Sequence, residues 1–171
     1  FGFKDETQTI SKDTPIEIPL ALTTPVKMNK IEIIMNTYYS SERGIQILIR
    51  LLKDFGIRKI VTSPGATNMM LNASLMYDGS FEMISSVDER SAAYMACGMA
   101  AESGEAVALS CTGATASRNY YPGLTEAFYR KLPVLAITSH QGTDRIGQLI
   151  PQNIDRRILP NDIARLSVEL P

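Results

Sequence analysis

Residues 80–113, SFEMISSVDERSAAYMACGMAAESGEAVALSCTG, read as a strand, a helix and a second strand in one unbroken run. FEMISSV (81–87) is short and largely apolar. DERSAAYMACGMAAESG (88–104) opens on acids, continues in Ala, Met and Gly, and stops at Gly104. EAVALSC (105–111) has almost no polar alternation, so it predicts a strand buried on both faces, as in a parallel sheet. An acid, Glu89, stands where the first strand hands over to a tightly packed helix, and it needs something to face.

The same alternation continues on both sides of this run. SERGIQILIRLLKDFG (41–56) carries Ile45, Leu48, Ile49 and Leu52 at helical spacing, with Ser40 or Ser41 able to cap it and Gly56 able to end it. IRKIVTS (57–63) reads as a strand stopped by Pro64-Gly65, and ATNMMLNASLMYDG (66–79) as a helix. TASRNYYPGLTEAFYRK (115–131) reads as a single helix, with Pro122 tolerable only in its first turn. LPVLAITS (132–139) is the last clear strand. Apolar strands alternating with helices predict an α/β domain, doubly wound, with a mostly parallel sheet and helices on both faces. Ligands of such sheets sit at the carboxyl ends of the strands. Those ends are SPGAT (63–67), VDER (87–90), CTGAT (111–115) and SHQGT (139–143), and all four should gather on one rim. Glu89 then stands on the ligand rim at a helix start, where free N–H groups favour an anion while burial disfavours charge. A plainer alternative has Asp88 capping the helix and Glu89 merely complementing its dipole. Spacing alone leaves both open.

Composition narrows the class. The chain has 171 residues, about one domain by length, with 44% apolar and 20% charged residues. A net charge of −1 gives no reason to expect nucleic acid or an anionic membrane surface. No apolar run approaches the roughly 20 residues of a membrane span, and no secretory signal is visible. Cys97 and Cys111 lie in apolar surroundings without metal-type spacing and read as reduced packing residues of a cytoplasmic protein. Neither a P-loop nor a GxGxxG run is present. Residues 1–37 show no helical period and read as an N-terminal arm or the remnant of a preceding segment, with the domain over 38–171. The start at Phe1 and the stop after NDIARLSVEL (161–170) suggest a piece of a longer chain.

Taken in order, the Pro-Gly turn at 64–65, the Glu opening a small-residue helix, Thr112-Gly113 leading to Asn119-Tyr120-Tyr121-Pro122, the Leu-Pro-Val strand and the PQNID run at 151–155 carry a family resemblance. Over residues 41–157 the chain resembles the pyrimidine-binding domain of thiamine diphosphate-dependent enzymes. It is most similar to the menaquinone-pathway succinyl-enolpyruvyl-cyclohexene-carboxylate synthase branch and more distantly to acetolactate synthases. The resemblance implies action on 2-oxo acids by carbon–carbon cleavage or ligation. It makes Glu89 the cofactor-activating glutamate, trading a proton with N1′ of the pyrimidine so that the thiazolium C2 proton can leave. Pro64, Thr112, Gly113 and Asn119 would line the cofactor, although Asn119 and Tyr120 suit capping and core packing equally well. Gly65, Ala66 and Gln152 would border the substrate.

The same resemblance puts the diphosphate and Mg²⁺ in another domain, held by a Gly-Asp-Gly run and a downstream Asn that this chain lacks. It implies a domain inactive alone, facing a diphosphate-binding domain of the same or a partner chain in a homodimer or larger assembly. Met69, Met70, Met95 and Met99 could serve that interface or the core. One departure concerns substrate. Ala66-Thr67-Asn68 stand where the menaquinone-pathway branch has Ser-Arg-Ser, and losing that Arg removes a bidentate carboxylate clamp. His140, Arg118 and Arg145 are the remaining rim candidates, each equally suited to a local bond or a solvated charge. A non-catalytic ligand-binding or dimerisation module on the same α/β fold is the alternative.

Overall fold

The computed structural model describes residues 39–139 and 142–170, so the expected arm over 1–37 lies outside the described residues. Strands and helices alternate: α1 (Arg43–Asp54), β1 (Lys59–Thr62), a 3₁₀ turn (Ala66–Asn68) running into α2 (Met69–Asp78), β2 (Glu82–Ser85), α3 (Glu89–Ser103), β3 (Val107–Cys111), α4 (Thr115–Asn119), α5 (Tyr121–Arg130) and β4 (Val134–Thr138). The four strands form one all-parallel sheet in the order β2-β1-β3-β4, which is the α/β architecture the alternation predicts. Among the described residues no helix is long and apolar enough to cross a membrane.

Alternation along the strands sorts the core onto two faces. Val61, Val107, Leu109 and Cys111 point to one side, where they meet Ala92, Ala93, Ala96 and Ala100 of α3 together with Tyr120. Ile60 and Ala108 point to the other, against Ile49 and Leu52 of α1 and Leu71 and Leu75 of α2. The alanines of α3 explain its closeness to its neighbours, because small side chains let backbones approach. A Cβ built on Gly123 of α5 would lie 2.5 Å from Ala93 Cβ. β3, at the centre of the sheet, is buried along its whole length, as its unbroken apolar run requires.

Two local expectations differ from what forms. Ser40 and Ser41 do not cap α1. Its N-cap is Glu42, without a side-chain cap, while the buried Ser40 accepts from the Glu42 N–H at 3.1 Å and donates its own N–H to Ser74 Oγ at 2.9 Å. The single helix expected over 115–131 is two helices, α4 and α5, joined at Tyr120. Pro122 has no N–H to give the Arg118 carbonyl, so the chain ends one helix and places the proline in the first turn of the next. Gly56, Gly79 and Gly104 do follow α1, α2 and α3 at positive φ, as their positions predict.

The chain leaves β1 for β2 on one side, then crosses back over β1 to β3 on the other. The strand order therefore reverses between β1 and β3, and the crevice outside their carboxyl ends is where ligands of open α/β sheets bind.

Candidate functional site

The ladder between β1 and β3 runs one residue past the strands, with Ser63 N–H donating to the Ser110 carbonyl at 2.8 Å. Beyond it the two loops touch. A Cβ built on Gly65 would lie 2.1 Å from Thr112 Cγ2. Gly65 has φ −165°, ordinary extended backbone, so only steric closeness demands glycine there. On the other side of the β3 tip, a Cβ on Gly113 would lie 2.7 Å from the Ser139 carbonyl and 3.2 Å from Arg156 Nη2. Thr112-Gly113 is thus wedged between the loop after β1 and the end of β4. The hydroxyls of Thr67 and Ser139 hydrogen-bond at 2.7 Å, bridging from the β1 loop to β4 across the β3 tip between them. Ala114, next in the chain, holds φ 58° and ψ −124°, a conformation that favours glycine and stores strain on this rim.

Beneath the rim lies a buried polar web. Asn68 Oδ1 accepts from Gly65 N–H at 2.8 Å, and its Nδ2 donates to the Ser63 carbonyl and to Ser110 Oγ at 3.2 and 3.1 Å. Ser110 Oγ in turn donates to Asn72 Oδ1 at 3.1 Å. Sequence reasoning missed Asn68 and Ser110 as supports of the site. The available signal was a lone hydroxyl inside the apolar run EAVALSC.

Two neighbouring acids divide the start of α3 between them. Asp88 is the N-cap, its carboxylate accepting from Ser91 N–H at 3.1 Å. Glu89 follows as the first helical residue, half-buried, with its charge acting on Cys111 and Tyr120. Burial is the main force that pushes the Cys111 thiol up to about 12, helped by the Glu89 carboxylate. Burial also raises the Tyr120 phenol, with the Cys111 thiol and Glu89 adding to it. Tyr120 OH and Ser63 Oγ are both buried without a well-formed hydrogen-bond partner, so hydroxyl capacity remains open near the tip of β3.

The other sequence candidates scatter. Pro64 and Ala66 are exposed on the rim, and Gly65, Thr112 and Gly113 are half-buried there. Asn119 is half-buried and donates to the Thr115 carbonyl of its own helix at 3.4 Å. Gln152 is exposed on the loop after β4 at φ 63°, and no described contact brings it to Glu89. Arg118 is exposed, and Arg145 is exposed with its Nε 3.9 Å from Asp144. His140 lies outside the described residues. Met69, Met70 and Met95 are exposed, whereas Met99 packs against the core.

Cys97 and Cys111 are both free and buried. Native protein should therefore resist iodoacetamide at pH 8 and take up two labels per chain in urea, read by mass spectrometry. The same thiols set an alkaline limit on stability. An unfolded thiol ionises near 9.0, but folded Cys111 stays protonated up to about 12. Between those values the unfolded chain binds fewer protons, so stability falls as pH rises, by up to about 1.4 kcal/mol per pH unit from this thiol. Urea midpoints at pH 8 and pH 10.5 should show the loss in the wild type and a smaller loss in Cys111→Ala.

Sequence comparisons bear on this arrangement. The family model described as "Thiamine pyrophosphate enzyme, N-terminal TPP binding domain" matches residues 42–159. The 2-succinyl-5-enolpyruvyl-6-hydroxy-3-cyclohexene-1-carboxylate synthase of Porphyromonas gingivalis is 44% identical over 114 residues, covering 67% of this chain and 20% of the relative. The proteins of the same name from Phocaeicola vulgatus and Desulfotalea psychrophila are 35% and 36% identical, covering 78% and 68% of this chain and 24% and 22% of their own lengths. The chain thus spans between a fifth and a quarter of these relatives. With the matched region containing all four parallel strands, the Gly65–Thr112 crevice and Glu89, the chain belongs to the thiamine pyrophosphate enzyme family, whose N-terminal TPP binding domain it carries.

Proposed function

We propose that the chain is the cofactor-pyrimidine domain of a cytoplasmic thiamine diphosphate-dependent enzyme that cleaves or forms carbon–carbon bonds in 2-oxo acids. Glu89 carries this reading: a half-buried carboxylate at the first position of α3, on the rim of the β1–β3 crevice, with its field reaching Cys111 and Tyr120. The residues suit the pyrimidine. A carboxyl group can exchange a proton with a ring nitrogen, and the open hydroxyl capacity of Ser63 and Tyr120 lies in the same neighbourhood. When bound, thiamine diphosphate supplies a nucleophilic carbon that amino-acid side chains lack.

In this reading Glu89 holds the proton at the pyrimidine nitrogen N1′ and returns it as the reaction proceeds. Thr112 and Gly113 offer close-packed backbone as a wall for the ring, with Pro64 and Asn119 assigned to the same cofactor lining. Gly65 and Ala66 border the reacting centre, with Gln152 reaching toward the substrate from the loop after β4. The diphosphate and Mg²⁺ belong to a second domain of the same or a partner chain, in an assembly of at least two copies. The chain by itself is then inactive. The run Ala66-Thr67-Asn68 offers no cation, so the substrate is proposed only as a 2-oxo acid.

Calorimetric titration of the complete protein, diphosphate domain included, with thiamine diphosphate and Mg²⁺ tests the assignment. Saturable binding at one cofactor per active site is expected. An absence of binding with the protein folded would leave the domain a non-catalytic module.

A further inference from the structure

On the reading proposed above, we infer that Arg156 is the substrate-anchoring cation of this rim, holding the carboxylate of the 2-oxo acid. Arg156 follows the PQNID run in the segment after β4 and folds back over the tip of β3. Its Nη2 donates to the Ser139 carbonyl at 3.4 Å and would meet a Cβ on Gly113 at 3.2 Å. Its Nη1 is buried and has no hydrogen-bond partner. Among the described residues no carboxylate comes within ion-pair distance of it.

Three other arginines, Arg50, Arg130 and Arg157, behave differently. Arg157 grips Asp155 with Nε at 2.9 Å and Nη2 at 2.8 Å, Arg50 grips Asp54 at 2.9 Å, and Arg130 contacts Glu126 at 3.3 Å. All three pairs are solvated surface contacts that satisfy both charges locally. Arg156 is instead half-buried, with one nitrogen on a carbonyl and another buried without a hydrogen-bond partner. A cation taken out of water without its counter-charge is costly unless an anion completes it. Burial lowers the pKa of Arg156 by more than the nearby Cys111, Tyr121 and Glu169 raise it, whereas the carboxylate partners of Arg50 and Arg157 raise theirs outright.

The position matches the chemistry. Arg156 sits at the tip of β3 beside Gly113, and both it and Glu89 lie within electrostatic reach of Cys111 at that tip, the first lowering and the second raising its pKa. A 2-oxo acid carries its carboxylate on the carbon next to the reacting carbonyl. It therefore needs a proton-handling group and an anion anchor close together. A planar guanidinium with a free N–H matches a carboxylate better than a point charge does.

The test uses the complete cofactor-loaded protein and two unreactive probes, oxamate, a 2-oxo acid mimic, and its uncharged counterpart oxamide. Wild type should bind oxamate well above oxamide. Arg156→Met should weaken oxamate by at least about tenfold, the range of a hydrogen bond to a charged group, with oxamide unchanged. Arg156→Lys, which keeps the charge and most of the volume, should weaken it less, and it serves as the deciding variant if the methionine variant does not fold. Thiamine diphosphate affinity, measured alongside, should be the same in all three proteins. Loss of cofactor binding already in the wild type would fault the cofactor-domain reading and not Arg156. Cofactor binding with oxamate affinity unchanged in both variants would overturn the anchoring role.

Discussion

Replacing Glu89 with Gln is expected to slow exchange of the cofactor's C2 proton by about 10²–10⁴-fold in the complete, cofactor-loaded protein, the range that positioned acid–base catalysis supplies. Glutamine keeps the length and shape of glutamate, so the cofactor should still bind. The amide can hydrogen-bond a ring nitrogen but cannot take up or release a proton near neutral pH. Activity should therefore fall through kcat rather than KM. Deuterium exchange quenched in acid and read by proton NMR measures the step directly. The neighbouring acid separates this role from helix stabilisation. Asp88→Ala removes the cap on Ser91 N–H and should cost about 1 kcal/mol of stability with exchange unaffected. Glu89→Gln should change stability by no more than the roughly 0.3–1 kcal/mol of a first-turn charge. Near-normal exchange in Glu89→Gln would reduce Glu89 to a complement of the helix dipole.

Gly65→Ala is the variant with the largest expected structural effect. The backbone of Gly65 is extended and would accept alanine without strain. The new methyl would instead fall 2.1 Å from Thr112 Cγ2, an impossible contact. Threonine is β-branched and stiff at χ1, so its methyl does not swing aside freely, and the two loops must part. A loss of about 1–3 kcal/mol is expected from overpacking, together with weakened cofactor binding as the crevice opens. Thr112→Ser removes the offending methyl and leaves Thr112 Cβ at 3.4 Å, an ordinary contact. The double variant Gly65→Ala/Thr112→Ser should recover more than half of the stability lost in Gly65→Ala, measured by urea denaturation as a double-mutant cycle. Independent, additive effects would mean that the β1 and β3 loops do not touch in solution.

The alternation of periods made the layers legible. Ile45, Leu48, Ile49 and Leu52 at helical spacing, and EAVALSC without polar alternation, identify helices over a two-sided parallel sheet, and a parallel sheet sends all its strand tips to one rim. Glu89 was placed on that rim by the position of one acid at the end of an apolar strand. The break between α4 and α5 was less legible. Pro122 announced that a first turn lay nearby, but the sequence did not show that a separate short helix would precede it, with the buried Tyr120 at the junction.

By itself the sequence determined the alternation of strands and helices, which faces are apolar, and that Gly65, Glu89 and Thr112 stand at strand ends, because these follow from periodicities spanning a few neighbouring residues. The tertiary structure alone decided what those ends touch. The order β2-β1-β3-β4 sets Gly65 against Thr112 and brings Glu89 to bear on Cys111 and Tyr120, and the segment beyond β4 folds Arg156 over Gly113. Contacts between residues dozens of positions apart depend on strand order and on the path of the connecting loops, which the periodicity of a single segment does not specify.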